Sequence, residues 1–87
     1  MRNPRQTNAL FNLSDLNYVK KNYPQAKVYA DRLMQITQTP GPELLWLAAR
    51  TARKLGDAQS VSHYGNQLRR RYPEAPETRA LLDGRFE

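Results

Sequence analysis

Apolar residues recur every three or four positions in the first part of the chain, which is the spacing of one face of an α-helix. This stripe consists of Ala9, Leu10, Leu13, Leu16 and Val19. Thr7 is a suitable N-cap, because its hydroxyl can accept a hydrogen bond from a backbone N–H of the first turn. We therefore expect residues 1–6 to be a disordered N-terminal segment. The helix should end near residues 20–22, where Asn22 can adopt a left-handed conformation.

Proline and glycine mark the limits of four further helices. Proline is well tolerated in the first turn of a helix, and glycine favours the left-handed conformation that often follows the last turn. Such breaks lie at residues 37–41, at Gly56–Asp57 and at residues 73–75. They predict helices that begin near Pro24, Pro42, Asp57 and Pro76.

Two segments of the chain share one pattern of apolar and small residues when they are shifted by 35 positions. A period near 34 residues is typical of the tetratricopeptide repeat, which is a pair of antiparallel helices. We therefore predict an all-α fold, an α-α superhelix of tetratricopeptide-like type. Its parts are repeat 1 (residues 7–41), repeat 2 (residues 42–75) and a C-terminal capping helix (residues 76–87).

The superposed positions of the two repeats predict the hydrophobic core. Small residues such as Ala30, Ala49 and Gly65 let two helix backbones approach closely, while leucine and tyrosine fill the space around them. The expected core consists of Leu10, Leu13, Ala26, Tyr29, Ala30, Leu33, Leu45, Ala48, Ala49, Val61, Tyr64, Gly65 and Leu68.

The composition argues against catalysis. The 87 residues include no cysteine and a single histidine, His63. A disulfide scaffold, a thiolate metal site and a thiol nucleophile are therefore excluded. Ser60 and Ser62 lie close to His63, but the spacing offers no partner carboxylate and no oxyanion loop. We predict a protein that is not an enzyme, with no catalytic residues, no metal ligands and no cofactor.

The chain is basic, with 14 Lys and Arg against 8 Asp and Glu and a net charge of +6. The densest cluster, Arg69–Arg71, closes the fourth helix. One interpretation is a patch that binds nucleic acid or another anionic surface. The other is that cations at a helix C-terminus complement the helix dipole. We favour the second and expect no nucleic-acid partner. A basic helical nucleic-acid-binding module is the alternative function.

The first helices of the two repeats contain a candidate binding groove. Trp46 and Phe11 occupy equivalent positions, and the fifth position of such a helix tends to face the concave surface of the repeat. Charged residues follow each aromatic residue by one helical turn or two. The candidate groove consists of Phe11, Asp15, Trp46, Arg50 and Arg53. It would bind a peptide segment. The alternative is that both aromatic rings pack against adjoining repeats.

Four segments carry a narrower likeness. They are Leu44 to Lys54, the turn Gly56–Asp57, the run Ser62-His63-Tyr64-Gly65-Asn66-Gln67-Leu68 with its closing Tyr72-Pro73, and the segment Tyr23 to Tyr29. In these segments the chain resembles the C-terminal part of the type IV pilus biogenesis lipoproteins called PilF or PilW. The likeness covers roughly residues 6–78 and is most specific over residues 62–73.

The resemblance implies a function. Members of this family are helical solenoids that a lipid tethers to the inner face of the outer membrane. They help the pilus secretin to assemble and so support piliation and twitching motility. We therefore expect a non-catalytic protein-protein interaction scaffold that acts at the periplasmic face of the outer membrane. Its partner would be the secretin or another pilus assembly protein. The resemblance further implies that this chain is a C-terminal fragment. Because stacked arrays generally need three or more repeats, we expect a two-repeat fragment to self-associate or to be marginally stable.

Overall fold

Five α-helices follow one another along the chain. The computed structural model describes the backbone of residues 4–85 and the side chains of residues 7–85. The helices are α1 (Pro4–Val19), α2 (Tyr23–Ile36), α3 (Pro42–Lys54), α4 (Ala58–Arg71) and α5 (Pro76–Leu82). The described residues contain no β-strand. The all-α prediction is confirmed, and the packing of neighbouring helices is compatible with a helical-repeat fold.

The first helix begins earlier than the sequence suggested. It starts at Pro4 and not at Thr7, so residues 4–6 are helical and the prediction that they are disordered was wrong. Proline can occupy this position because its φ is already close to the helical value and its missing N–H would have no partner in the first turn. Residues 1–3 of that segment lie outside the described residues. The capping helix ends at Leu82, before the end of the segment predicted for it, and residues 86–87 are also outside the described part.

The breaks predicted from proline and glycine are confirmed. The helices α2, α3 and α5 each have a proline in one of their first two positions. Asp57 is the N-cap of α4, since its carboxylate accepts a hydrogen bond from the Ser60 backbone N–H at 3.2 Å and another from the Ser60 hydroxyl at 2.6 Å. Gly56 adopts a φ of 74° directly before it.

The turns inside the two helix pairs are built alike. In the first turn, the Lys21 N–H donates to the Tyr18 carbonyl at 2.9 Å, and the Asn22 N–H donates to the Asn17 carbonyl at 2.8 Å. The same two bonds recur 35 positions later around Gly56, at 3.1 and 2.9 Å. This is the Schellman arrangement, in which a residue just beyond the helix is left-handed. The 35-residue shift seen in the sequence is therefore also present in the backbone hydrogen bonds.

The left-handed residue of the first turn is Lys21, with a φ of 65°, and not Asn22 as expected. Because α1 ends at Val19, the Schellman geometry places the left-handed position two residues later. Lys21 thus occupies the position that glycine occupies in the second turn.

Two side-chain hydrogen bonds join segments that are distant in the sequence. The Ser14 hydroxyl of α1 donates to the Ala26 carbonyl of α2 at 2.8 Å, in the buried interior. The Tyr72 hydroxyl, just after α4, donates at 2.8 Å to the carbonyl of Pro40, which lies between α2 and α3. The first bond fixes α1 on α2, and the second fixes the end of the second helix pair on the connection between the two pairs.

Most of the predicted core is buried. The buried members are Leu10, Ala26, Ala30, Leu33, Leu45, Ala48, Ala49, Gly65 and Leu68, while Tyr29, Val61 and Tyr64 are half-buried. Leu13 is 39% exposed, so its assignment to the core was wrong. The buried stripe of α1 is instead Leu10, Ser14 and Tyr18, because α2 packs on that side of the helix. Ser14 can be buried since its hydroxyl has a hydrogen-bond partner.

The fifth helix covers the second helix pair. Thr78 is buried, and its hydroxyl donates to the carbonyls of Leu68 and Tyr72. The side chain of Leu81 lies so close to Gly65 that a Cβ at Gly65 would stand 3.2 Å from it. Gly65 therefore serves the close approach of α4 and α5.

Candidate functional site

Side chains from α1, α2 and α3 form a surface of alternating rings and cations over part of the predicted groove. The helix α3 presents Trp46, Arg50 and Lys54 at intervals of four residues, which places all three on one face. Tyr18 near the end of α1 and Tyr23 at the start of α2 lie beside them. We call these five residues the aromatic–cation face.

Arg50 is held between two aromatic rings. Its Cζ lies 4.9 Å from the centroid of the Tyr18 ring and 5.7 Å from the centroid of the Trp46 ring. Both distances are within about 6 Å, the range of cation–π attraction. The Nε of Arg50 is buried and has no hydrogen-bond partner within the described part of the chain. The contact of Arg50 with the Tyr18 ring joins α3 to α1, and its contact with the Trp46 ring lies within α3.

The aromatic surface continues towards the turn between α1 and α2. The Tyr18 and Tyr23 rings meet edge to face, with centroids 5.3 Å apart and an interplanar angle of 66°. The Lys54 Nζ lies 5.9 Å from the Tyr23 centroid. Edge-to-face aromatic pairs at this distance are attractive. Rings and cations thus follow one another from Trp46 to the first turn of α2.

The structure places the five residues predicted for the groove in different environments. Trp46 and Arg50 are half-buried, with the Arg50 Cζ 5.7 Å from the centroid of the Trp46 ring, and their assignment to a binding groove stays a prediction. Phe11 packs against the buried core, beside residues of α3, so for this ring the alternative of packing between repeats is favoured. Asp15 is half-buried, and Arg53 is exposed.

Three members of the face were missed by the sequence reasoning, namely Tyr18, Tyr23 and Lys54. A signal existed for two of them. Lys54 follows Arg50 by four residues, and Tyr18 follows Phe11 by seven, so each lies on the helix face already chosen. No spacing rule could have found Tyr23, because its place beside Tyr18 depends on the geometry of the turn.

The members of the aromatic–cation face differ in their exposure to solvent. Of its five residues, Lys54 is exposed, Tyr23, Trp46 and Arg50 are half-buried, and Tyr18 is buried. Two clefts of about 330 and 290 Å³ lie elsewhere, one around Arg53 and Ala58 and one between Ser62 and Leu82. The half-buried rings of Trp46 and Tyr23 offer apolar contact, and Arg50 and Lys54 offer positive charge beside them. Such a surface can bind an extended segment that carries carboxylates.

A second polar cluster lies between α2, α3 and α4. The Lys27 Nζ donates to the Asp31 carboxylate at 2.6 Å, and this hydrogen bond raises the pKa of Lys27. Burial raises the pKa of the Tyr64 hydroxyl, which lines a small cavity of about 30 Å³ with these residues. The hydrogen bond from the Ser60 hydroxyl lowers the pKa of Asp57. The Lys27–Asp31 pair is exposed and Asp57 is a helix cap, so both fit structural roles.

The remaining polar candidates are on the surface. Arg69, Arg70 and Arg71 are exposed at the end of α4, and Arg69 donates to the Asn66 side chain. The ring of His63 lies edge to face with Tyr64 and within 3.1 Å of the Gln67 amide. The described residues contain no group of three or more side chains arranged to hold a metal ion.

Within residues 4–85, no helix is both long and apolar enough to span a bilayer. In comparisons with models of protein families, with curated proteins and with solved structures, no match to this chain was found.

Proposed function

We propose that this chain is a non-catalytic protein-interaction scaffold that binds an acidic peptide segment along the aromatic–cation face. The observation that carries the proposal is the position of Arg50 between Tyr18 and Trp46. A guanidinium group that is already held in place loses less conformational freedom when a carboxylate binds it. The adjacent rings add apolar contact, and no bond is made or broken.

The charge of α3 supports an acidic partner. Arg50, Arg53 and Lys54 lie within two turns of one helix, and Glu43 at its start is its one acidic residue. A positive surface attracts an acidic partner, accelerates its association and disfavours basic competitors. The partner segment should carry carboxylates along an extended chain and an apolar side chain that covers Trp46.

The finer part of the proposal rests on the resemblance to the pilus lipoproteins. On this basis the fold is of the tetratricopeptide class, and the partner is the pilus secretin or another pilus assembly protein. The place of action is the periplasmic face of the outer membrane. These statements go beyond the geometry of the face, and a measurement of secretin binding tests them.

The test uses the fluorescence of Trp46, the single tryptophan of the chain. A peptide rich in glutamate, with one phenylalanine, is titrated into the protein while the tryptophan emission is recorded. We expect a saturable change in emission. Arg50→Gln should weaken binding on the order of tenfold, because a charge-assisted hydrogen bond is lost. Arg70→Gln is the matched control, since it removes the same charge from an exposed position on α4 and should alter the affinity little.

Equal weakening by the two variants would refute the assignment of the face, because it would show that only the net charge matters. Tight, steeply salt-dependent binding of duplex DNA that is lost with Arg70→Gln would favour the nucleic-acid alternative instead. The secretin is tested separately by pull-down with Trp46→Ala and Arg50→Ala. Unchanged recovery of the secretin with both variants would refute the proposed role of the face in that complex.

A further inference from the structure

One side of α1 carries exposed apolar residues. Leu13 is 39% exposed and Leu16 is 49% exposed, and Ala9 is exposed one turn earlier. Their spacing places them on a single face, which we call the α1 outer stripe. With Val19, α1 holds three of the six large apolar residues that are exposed among the described residues. A contiguous apolar patch of this kind is typical of a contact with another molecule.

The equivalent side of α3, in the second helix pair, is buried. The positions that follow the stripe by 35 residues are Leu44, Ala48 and Thr51, and they are only 6%, 6% and 1% exposed. They are buried because α2 and α4 pack against α3. The same helix side therefore stacks one helix pair on the preceding one. The α1 outer stripe is the equivalent side of the first helix pair, one period earlier in the chain.

A helix whose apolar face is already covered within its own chain cannot pack on the stripe of a second copy. The face of α4 that corresponds to the stacking face of α2 is occupied by α5, with Thr78 and Leu81 lying over Leu68 and Gly65. A second copy therefore cannot offer α4 in a head-to-tail stack. Among the described residues, α1 is the helix that retains an uncovered apolar stripe.

The distribution of charge favours a pairing of α1 with α1. Residues 4–19 contain one cation, Arg5, and one anion, Asp15, so the helix has no net charge although the chain carries +6. The cluster Arg69–Arg71 lies on a different helix, α4. By sequence, α3 carries Arg50, Arg53 and Lys54 against one acidic residue, and α4 carries three arginines. A pairing through α1 therefore brings less positive charge into the contact than a pairing through α3 or α4, although Lys20 and Lys21 follow the helix beyond the stripe.

We propose that the α1 outer stripe is a self-association surface, at which two copies of the chain pair about a two-fold axis with α1 against α1. A two-fold pairing uses the same patch on both copies and closes on itself, so it forms a dimer and not a fibre. Leu13 is the middle member of the stripe and lies near the axis. The small side chain of Ala9 allows the two helices to approach.

The first experiment is sedimentation equilibrium of the full chain over a range of concentrations. We expect the mass to rise from 10.1 kDa towards twice that value. Leu16→Glu should raise the dimer dissociation constant on the order of tenfold or more, because pairing would bury a carboxylate. Val28→Glu is the matched control. Val28 is 43% exposed and lies on α2, and its equivalent, His63, is also exposed, so the same change in charge should leave the dimer intact.

The second experiment does not depend on the stability of a charged variant. The chain has no cysteine, so Leu13→Cys introduces a single thiol near the proposed axis. Under mild oxidation it should form a disulfide-linked dimer much faster than Val28→Cys. Circular dichroism of each variant confirms that its helices are retained.

The proposal is overturned if the unmodified chain remains a monomer up to about 1 mM, because a measurement at that concentration detects even weak pairing. It is also overturned if Leu16→Glu and Val28→Glu weaken the dimer equally. A heteromeric complex with a helix from another protein, formed by a chain that does not pair with itself, would assign the stripe to that partner and likewise overturn the proposal.

Discussion

Replacing Lys21 with glycine should stabilise the protein. Lys21 is exposed and adopts a φ of 65°, a left-handed conformation that residues with a Cβ adopt at a cost. The steric cost is roughly 1–2 kcal/mol, and glycine removes it. Against this gain, the variant loses about 0.5–1 kcal/mol of stability, because glycine gives the unfolded chain more conformational freedom. The expected net gain in the free energy of unfolding is about 0.5–1 kcal/mol.

The equivalent position in the second turn provides a matched reverse experiment. Gly56 has a φ of 74°, and a Cβ there would meet no atom within 4 Å. Any cost of Gly56→Lys therefore comes from the backbone conformation and not from a clash. We expect Gly56→Lys to destabilise the protein by about the amount that Lys21→Gly stabilises it. The double exchange should be close to neutral, since the two turns share one hydrogen-bond pattern.

Thermal unfolding followed by circular dichroism measures both effects. For a domain of this size, 1 kcal/mol corresponds to a shift in Tm of about 4–8 °C. The measurement should be made at high salt, because Lys21 also carries a charge that favours a helix C-terminus at low ionic strength. Lys20→Gly is the control, because Lys20 has no positive φ, and it should not stabilise. A Tm that falls with Lys21→Gly at high salt would contradict the strain argument.

Two further predictions concern the interior and the second cap. Ser14→Ala removes the buried hydrogen bond to the Ala26 carbonyl, and urea unfolding should show a loss of about 1 kcal/mol; an unchanged midpoint would mean that the bond contributes nothing net. The pKa of Asp57 is lowered by its hydrogen bonds to Ser60 from an ordinary value of 3.8. Because the folded-state pKa lies below the unfolded one, the stabilisation by the ionised cap is complete well above pH 3.8 and is lost as the pH falls through the folded-state value. The difference in Tm between the wild type and Asp57→Ala should therefore be larger at neutral pH than in strong acid. A difference that does not change with pH would contradict this.

The sequence by itself located the helices from α2 onwards. Pro42 fixed the start of α3, and the pair Gly56–Asp57 fixed the boundary between α3 and α4. These signals act within a few residues: proline restricts its own φ, glycine permits a positive φ, and aspartate bonds to the next turn. The 35-residue shift was also readable, because equivalent positions carry residues of similar size.

The tertiary structure alone decided which side of α1 is buried. Periodicity predicted a stripe through Leu13 and Leu16, but α2 covers the side with Ser14 and Tyr18. A helical period shows that a helix has an apolar side, whereas burial depends on which neighbour lies against it.

The candidate site divides in the same way. The spacing of Trp46 and Arg50 on one face of α3 followed from the sequence. The place of the Arg50 guanidinium between the Trp46 and Tyr18 rings did not, because Tyr18 belongs to another helix and meets Arg50 only when the two helix pairs stack. Contacts within a helix depend on local spacing, whereas contacts between helices depend on how the pairs pack.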